Sequence, residues 1–508
     1  MLIPDILEHN ARAHPFRIAL SAAGEEVTYL ELRGRVRRRT AALRRLGIAS
    51  GHRVAILAHN SIPYVEFFFA AAQIGAAVVQ LHSQLVGREI AGILKDAGVQ
   101  AFLYQGDFRD RAREVRAAVP EIPCFLPMDD PCLSTTAEDA PAAAQTAVRE
   151  TDVALVIYTG GPAASPRGAM LSHRNLMAAA VYSALELCIS RNDIFLSCTP
   201  FPGLGGTKRL LRFFHVGATV VLQPEFDPVA ALRAVERHAV THVLLTPSMI
   251  ARILAAPEAP KFNRKTLRTV LYGGSWMPVE LLKRAIGFFR CGLVQSYAHV
   301  ETAGLLAFLH EEDHSMDADA PYMKKLMSVG KEALGVEVRV VDETGREIAP
   351  NAVGEVVVRG ANVFEGYLND PEYSAEVLRG GWLRTGDLAS VDEDGYLYIV
   401  DRKRDTLMLD GVSVSLREIE SVLCEHPSVK EAVVVSRPDF AMGEVPVAVV
   451  VMREGKPPDR EAILKHCRRN MAPFKVPRMI EFLGALPRNA QGKVLKATVR
   501  DRLAARRP

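Results

Sequence analysis

Between Asp152 and Leu176 an apolar strand ending near Tyr158 runs into Tyr158-Thr-Gly-Gly-Pro-Ala-Ala-Ser-Pro-Arg-Gly168, then Leu171-Ser-His-Arg-Asn-Leu176 and a helix. A small-residue loop between a strand and a helix brings backbone N–H groups close to phosphate oxygens. The chemistry it suits is therefore binding of a phosphorylated ligand. Two prolines in the loop remove N–H donors, and a purely structural turn reads equally well from this segment alone.

Further segments follow in order: Tyr272-Gly-Gly-Ser275, Tyr297-Ala-His-Val-Glu301, Gly354-Glu-Val-Val-Val-Arg-Gly360 and Gly366-Tyr-Leu-Asn369. Then come Gly381-Trp-Leu-Arg-Thr-Gly-Asp-Leu388, Asp392-Glu-Asp-Gly-Tyr396, Asp401-Arg-Lys-Arg-Asp405 and Leu486-Pro-Arg-Asn-Ala-Gln-Gly-Lys493. In this order and at these distances they resemble the acyl-adenylate-forming (AMP-binding) superfamily, of the acyl-CoA synthetase or fatty-acid–CoA ligase type. The resemblance runs from Thr28-Tyr-Leu-Glu-Leu32 to Lys493. It implies a large N-terminal body over residues 1–403 and a mobile C-terminal cap over 404–508. It also implies a carboxylic acid substrate, with ATP, Mg²⁺ and CoA.

The resemblance assigns roles position by position. Asp387 matches the aspartate that binds the ribose hydroxyls, a task suited to a carboxylate because it accepts both hydroxyl protons. Arg402 matches a nucleotide-contacting arginine, and Arg404 falls on the hinge. Tyr297 would pack on adenine, and Gly273 and Gly274 would let the backbone lie against it. Glu301 would hold Mg²⁺, which takes hard oxygen ligands. Lys493 would reach the reacting carboxylate and the α-phosphate, where a cation offsets repulsion between two anions. Lys493 and Glu301 are thus the expected catalytic residues. Gly411 matches a glycine that leaves room for the pantetheine arm once the cap has rotated.

The phosphate loop departs from the superfamily's Y-T-S-G-T-T-G-x-P-K-G. Thr159 remains, Gly160 stands for Ser and Arg167 for Lys, and these three with Gly161 are the expected phosphate contacts. Pro162, Ala163 and Ala164 stand where that pattern has Thr, Thr and Gly, and Val300 replaces a Thr before Glu301. Arg167 can compensate in part, because its planar fork can contact two oxygens. Pro200-Phe-Pro-Gly203 stands where the superfamily often has Pro-Leu-aromatic-His, so Gly203 reads equally as a roomier acyl pocket or as a loop that takes glycine for backbone reasons. Two alternatives to a CoA ligase stay open at this point: an enzyme loading a carrier-protein thiol, and a non-catalytic homologue that binds nucleotide or acyl ligand.

The elements that must position these groups read as α/β layers. Val54 to Leu57, Ala76 to Leu81, Asp152 to Tyr158 and Val240 to Leu245 read as buried strands, and Ser61 to Gly75 as a helix. After about Gly335, short β runs at Val336 to Val341, Gly354 to Arg359 and Tyr396 to Val400 form a smaller β unit. Leu416 to His426 and Arg460 to Met471 read as helices of a terminal α+β domain, with strands at Ala432 to Ser436 and Val447 to Met452. Asp129 to Asp152, rich in Ala, Pro, Thr and Asp, reads as a loop.

The 508 residues suit about three units. The chain is 49% hydrophobic and 24% charged, which excludes a disordered chain. A net charge of +3 argues against a dedicated nucleic-acid binder. Seven cysteines with no C-x-x-C pair fit neither a disulfide framework nor a zinc site, so a reducing cytoplasm is expected. Met1 to Asn10 lacks the pattern of a secretory signal. Phe67 to Val79 is the most apolar stretch and falls short of the ~20 residues of a membrane helix. Arg33, Arg35, Arg37, Arg38, Arg39, Arg44 and Arg45 share one helix. It reads as a solvated face, with a weak peripheral membrane contact as the alternative. A homodimer is also allowed.

Overall fold

The computed structural model describes residues 1–133, 147–159, 166–201, 206–275, 277–314, 324–402, 406–409, 412–439, 443–487 and 494–505. Among these, one sheet holds five parallel strands in the order Val153–Thr159, Ala77–Leu81, Arg53–Leu57, Ala101–Tyr104, Cys124–Pro127. Ala77–Leu81 is buried at every position, as expected of a parallel strand covered on both faces. A second sheet places His242–Leu245, Thr269–Gly273 and Gly292–Tyr297 side by side and parallel. Gly273 and Tyr297 thereby stand at the carboxyl ends of adjacent strands, where open α/β sheets bind ligands.

The apolar stretch after Ser61 becomes the helix Ile62–Ile74, buried on nearly every side. Ser61 caps it by accepting from the Tyr64 N–H, and Gly75 ends it at φ 83°. A helix that is apolar all round belongs inside a large protein. Its one carboxylate, Glu66, is met by Arg39 Nε at 2.9 Å and by Arg35 at 3.6 Å. Arg39 also lies over the Phe67 ring, and Arg33 and Arg37 pair with Glu8. Four arginines of the basic helix Tyr29–Arg45 are thus engaged with carboxylates of this chain. Among the described residues no helix is long and apolar enough to cross a membrane.

One expectation is corrected. The loop after Tyr158 does not lead directly into a helix. Residues Arg167–Ser172 form a strand that returns antiparallel along Val153–Thr159, pairing Thr159 with Arg167. The helix begins only at His173, capped by Ser172. The loop therefore connects a hairpin, and the helix N-terminus lies at the far end of the returning strand. The sequence hides this because Arg-Gly-Ala-Met-Leu-Ser is short and alternates only weakly.

The smaller β unit pairs Val336–Val341, Gly354–Gly360, Trp382–Val391 and Leu397–Arg402, each antiparallel to the next. It sets Asp387 opposite Arg402. The C-terminal part has a core of its own around Ile419, Leu423, Val434, Val450 and Ile463. Its hairpin of Thr406–Leu409 and Val412–Ser415 reaches the body, with Met408 buried in the body's core. Lys475 joins the two parts. Its Nζ donates to Glu418 in the C-terminal part at 2.6 Å and to Glu89 in the body at 2.7 Å. Arg88 of the body forks onto Glu425 at 2.5 and 2.8 Å.

Candidate functional site

Asp387 sits in the strand Trp382–Val391 with its side chain 3% exposed. Its Oδ2 accepts from the Tyr297 hydroxyl at 2.5 Å and bonds His299 Nε2 at 2.9 Å. Tyr297 ends one strand of the large sheet, and His299 follows in the turn beyond it. Three side chains from two sheets therefore converge around one carboxylate oxygen. The Thr385 hydroxyl accepts from the Asp387 N–H and fixes the strand there. The sequence assigns the Tyr297 ring to a base. The structure adds a task for its hydroxyl, which holds the expected ribose-binding carboxylate.

Glu301 lies in the single-turn helix Val300–Thr302, two residues beyond His299, and is buried. The Tyr367 hydroxyl donates to its Oε1 at 2.7 Å, and Thr159 Oγ1 approaches the same oxygen at 3.5 Å. Oε2 has no partner among the described residues, and Glu301 makes no ion pair there. No group of three or more His, Cys, Asp or Glu that could hold a metal exists among the described residues. A single carboxylate such as Glu301 suits Mg²⁺, which is commonly held by one or two carboxylates together with substrate phosphates.

Arg167 is engaged at one edge of its fork. Its Nε donates to Asp370 at 2.6 Å, and its guanidinium lies 4.1 Å from the centre of the Tyr373 ring. That hydrogen bond holds the Asp370 carboxyl below the usual carboxylate range. Nη1 remains buried without a partner, at the foot of the loop. One edge of the fork is spent on structure and one donor is left over. Gly273 is likewise explained differently. A Cβ there would collide with the Ser296 carbonyl of the adjacent strand, so sheet packing already demands glycine. Gly274, at φ 84°, makes the turn that follows.

Gly160, Gly161, Gly203, Arg404, Gly411 and Lys493 lie outside the described residues. Arg402 ends its strand opposite Asp387.

A family model described as AMP-binding enzyme matches residues 7–368, and one described as AMP-binding enzyme C-terminal domain matches residues 418–493. The chain belongs to the AMP-binding enzyme family. Among its relatives is a feruloyl-CoA synthase of Amycolatopsis, 34% identical over 501 residues that cover 97% of each chain. The amide bond synthetase McbA of Marinactinospora thermotolerans superposes with a TM-score of 0.87 at 32% identity, over 99% of both chains. A double mutant of the o-succinylbenzoate CoA synthetase of Bacillus subtilis, bound to a product analogue, also gives 0.87 at 29% identity, over 98% of both chains. The same synthetase with ATP and magnesium gives 0.71, again at 29% identity, over 98% of this chain and 99% of that one.

In this member of the AMP-binding family, sequence reasoning passes over His299 and Tyr367. His299 is the only titratable side chain between Tyr297 and Glu301, and that is the available signal. Tyr367 stands in view within Gly366-Tyr-Leu-Asn369, but nothing local shows that its hydroxyl reaches Glu301. Asp387→Ala should raise the KM for ATP roughly 10- to 100-fold with kcat changed less, because hydrogen bonds to a charged group contribute ~1.5–3 kcal/mol. Initial rates at varied ATP check this. An unchanged KM would remove Asp387 from the nucleotide site.

Proposed function

We infer that this chain is an ATP-dependent carboxylic acid–CoA ligase. The acid's carboxylate attacks the α-phosphorus of ATP, the bond to pyrophosphate breaks, and an acyl-adenylate forms. The CoA thiolate then attacks the acyl carbonyl and AMP leaves. The observation that carries this reading is the short turn that joins the Asp387 cluster to Glu301. A nucleotide held through its ribose at Asp387 and its base at Tyr297 directs its phosphates toward Glu301 Oε2 and Thr159. Mg²⁺, when bound, neutralises charge on the phosphate oxygens. Tyr367 orients the Glu301 carboxylate, and Arg167 Nη1 supplies a further donor at the loop. Free cysteines throughout the described residues accord with work in the cytoplasm, where ATP and CoA are at hand.

Residues 1–403 act as the adenylate-forming body and 404–508 as the cap. The match at 0.87 to a product-analogue complex, against 0.71 to the ATP complex of the same synthetase, supports a cap that here takes the thioester-forming pose. Lys475 would then be a latch for that pose. Burial opposes its charge, but Glu418 and Glu89 outweigh burial and hold its pKa above the usual lysine value. Lys475→Met leaves two buried carboxylates facing each other, and breaking a buried pair costs about 3–5 kcal/mol. Single-turnover measurements should show the CoA step slowed more than adenylation. Equal effects on both steps would overturn the latch.

The test of the overall reading is release of AMP and pyrophosphate across a panel of acids, with and without CoA. Acid-dependent release that CoA carries to multiple turnovers is expected. Nucleotide binding without release, or turnover that CoA fails to support, overturns it.

A further inference from the structure

The helix Thr207–His215 starts immediately after the segment expected to line the acyl pocket, and it carries Lys208, Arg209 and Arg212, all buried. Lys208 is 5% exposed, and its Nζ has no hydrogen-bond partner among the described residues. It makes no ion pair there either. Arg212 repeats the pattern, with Nε and Nη1 buried and unpartnered. A buried ammonium without a partner is among the most costly arrangements a core can hold. Such groups are normally paired, so this one calls for a ligand.

Its position says which ligand. The Lys208 chain lies along Gly304, with Nζ 3.7 Å and Cε 3.5 Å from where a Cβ on Gly304 would stand. Gly304 is three residues past Glu301 and sits at φ 80°. Asn362 pins this turn by donating to the carbonyls of Thr302 and Leu305. The charge of Glu301 is felt at Lys208, yet no bond joins the two. Thr207, just before it in the chain, accepts from the Gln80 amide, whose own Oε1 is a further buried atom without a partner.

The reacting carboxylate must meet the α-phosphate close to Glu301. The rest of the acid then extends from that point into the body. Lys208 lies within electrostatic reach of the reaction centre but is not bonded to it. We propose that Lys208 recognises a second acceptor group on the acyl part of the substrate, so that the preferred acids carry an anionic or strongly hydrogen-bond-accepting group besides the reacting carboxylate. This deepens the ligase reading and rests on it. Burial, with a further contribution from Arg209, pushes the ammonium pKa down to about 7 in the protein alone, against the pull of Glu301. An acceptor at Nζ would restore the charge.

The test compares acids matched in shape, each with a second carboxylate and with that group replaced by its methyl ester or by a methyl group. ATP–pyrophosphate exchange is measured for wild type, Lys208→Met and Lys208→Arg. Wild type should prefer the diacid by roughly 10- to 100-fold in kcat/KM, the worth of a charged hydrogen bond. Lys208→Met should lose or reverse that preference while still adenylating the methyl analogue, and Lys208→Arg should keep part of it. Lys208→Met should also fold, because an apolar side chain of similar length replaces a buried charge; its Tm should equal or exceed that of wild type. A uniform loss of rate across all acids would overturn the proposal and make Lys208 a counter-charge for Glu301. Exchange with monoacids and diacids alike in wild type would overturn it as well, while leaving the ligase reading intact. No exchange with any acid would sink the ligase reading and this proposal with it.

Discussion

Glu301→Gln should lower acid-dependent pyrophosphate release by about 10²–10³, the scale for removing a preorganised charge partner from a transition state. The substitution keeps the shape of the side chain and its ability to accept from the Tyr367 hydroxyl. It removes the negative charge at Oε2, the oxygen that no described protein group uses. ATP binding through the ribose should persist, because Asp387 and His299 are untouched. Raising Mg²⁺ should recover part of the rate if the defect is weaker metal affinity. Pre-steady-state pyrophosphate release at saturating acid and ATP checks the effect, over a range of Mg²⁺. A rate within a factor of two of wild type, with the same Mg²⁺ dependence, would show that Glu301 is a buried structural carboxylate.

Lys493→Ala should divide the two half-reactions. Adenylation should fall by about 10²–10³ or more, because a cation offsets repulsion as a carboxylate approaches a phosphate. CoA attack on supplied acyl-adenylate should be largely retained. The reason proposed is a division of labour between two poses of the C-terminal part. On that proposal, the contacts that join the C-terminal part to the body here, Lys475 to Glu89 and Arg88 to Glu425, belong to the thioester-forming pose. Lys493 is expected to act in the other one. Comparing pyrophosphate release with thioester formation from synthetic acyl-adenylate settles the matter. Equal loss in both, in a folded protein, would contradict the assignment.

Several of these groups are legible in the amino-acid sequence. Asp387, Glu301, Tyr297 and Lys493 stand out by residue type within ordered motifs, and the family matches agree with the family those motifs suggest. Strands such as Arg53–Leu57 and helices such as Arg460–Asn470 also follow from local apolar patterning. Patterning fails at Arg167–Ser172, where a short return strand is held mainly by pairing with Val153–Thr159. Pairing of that kind leaves little mark in the sequence. For the basic helix, whose charges read as a solvated face, patterning does not name the partners. In the fold, Glu8 and Glu66 draw Arg33, Arg35, Arg37 and Arg39 into ion pairs.

By itself the sequence determined the layered α/β architecture and, through motif order, the family and the groups proposed for adenylation, because periodicity and motif order are local properties of the chain. Only the tertiary structure decided what each group touches. It gave Asp387 a histidine partner, spent half of Arg167 on Asp370, and set Lys475 between carboxylates 386 and 57 residues away in the chain. It also buried the Lys208 ammonium beside Gly304 with no hydrogen-bond partner among the described residues. The physical reason is that desolvation and hydrogen bonding depend on which atoms meet in space. Nothing in the residue order around Lys208 tells which atoms will surround its ammonium once the sheets close.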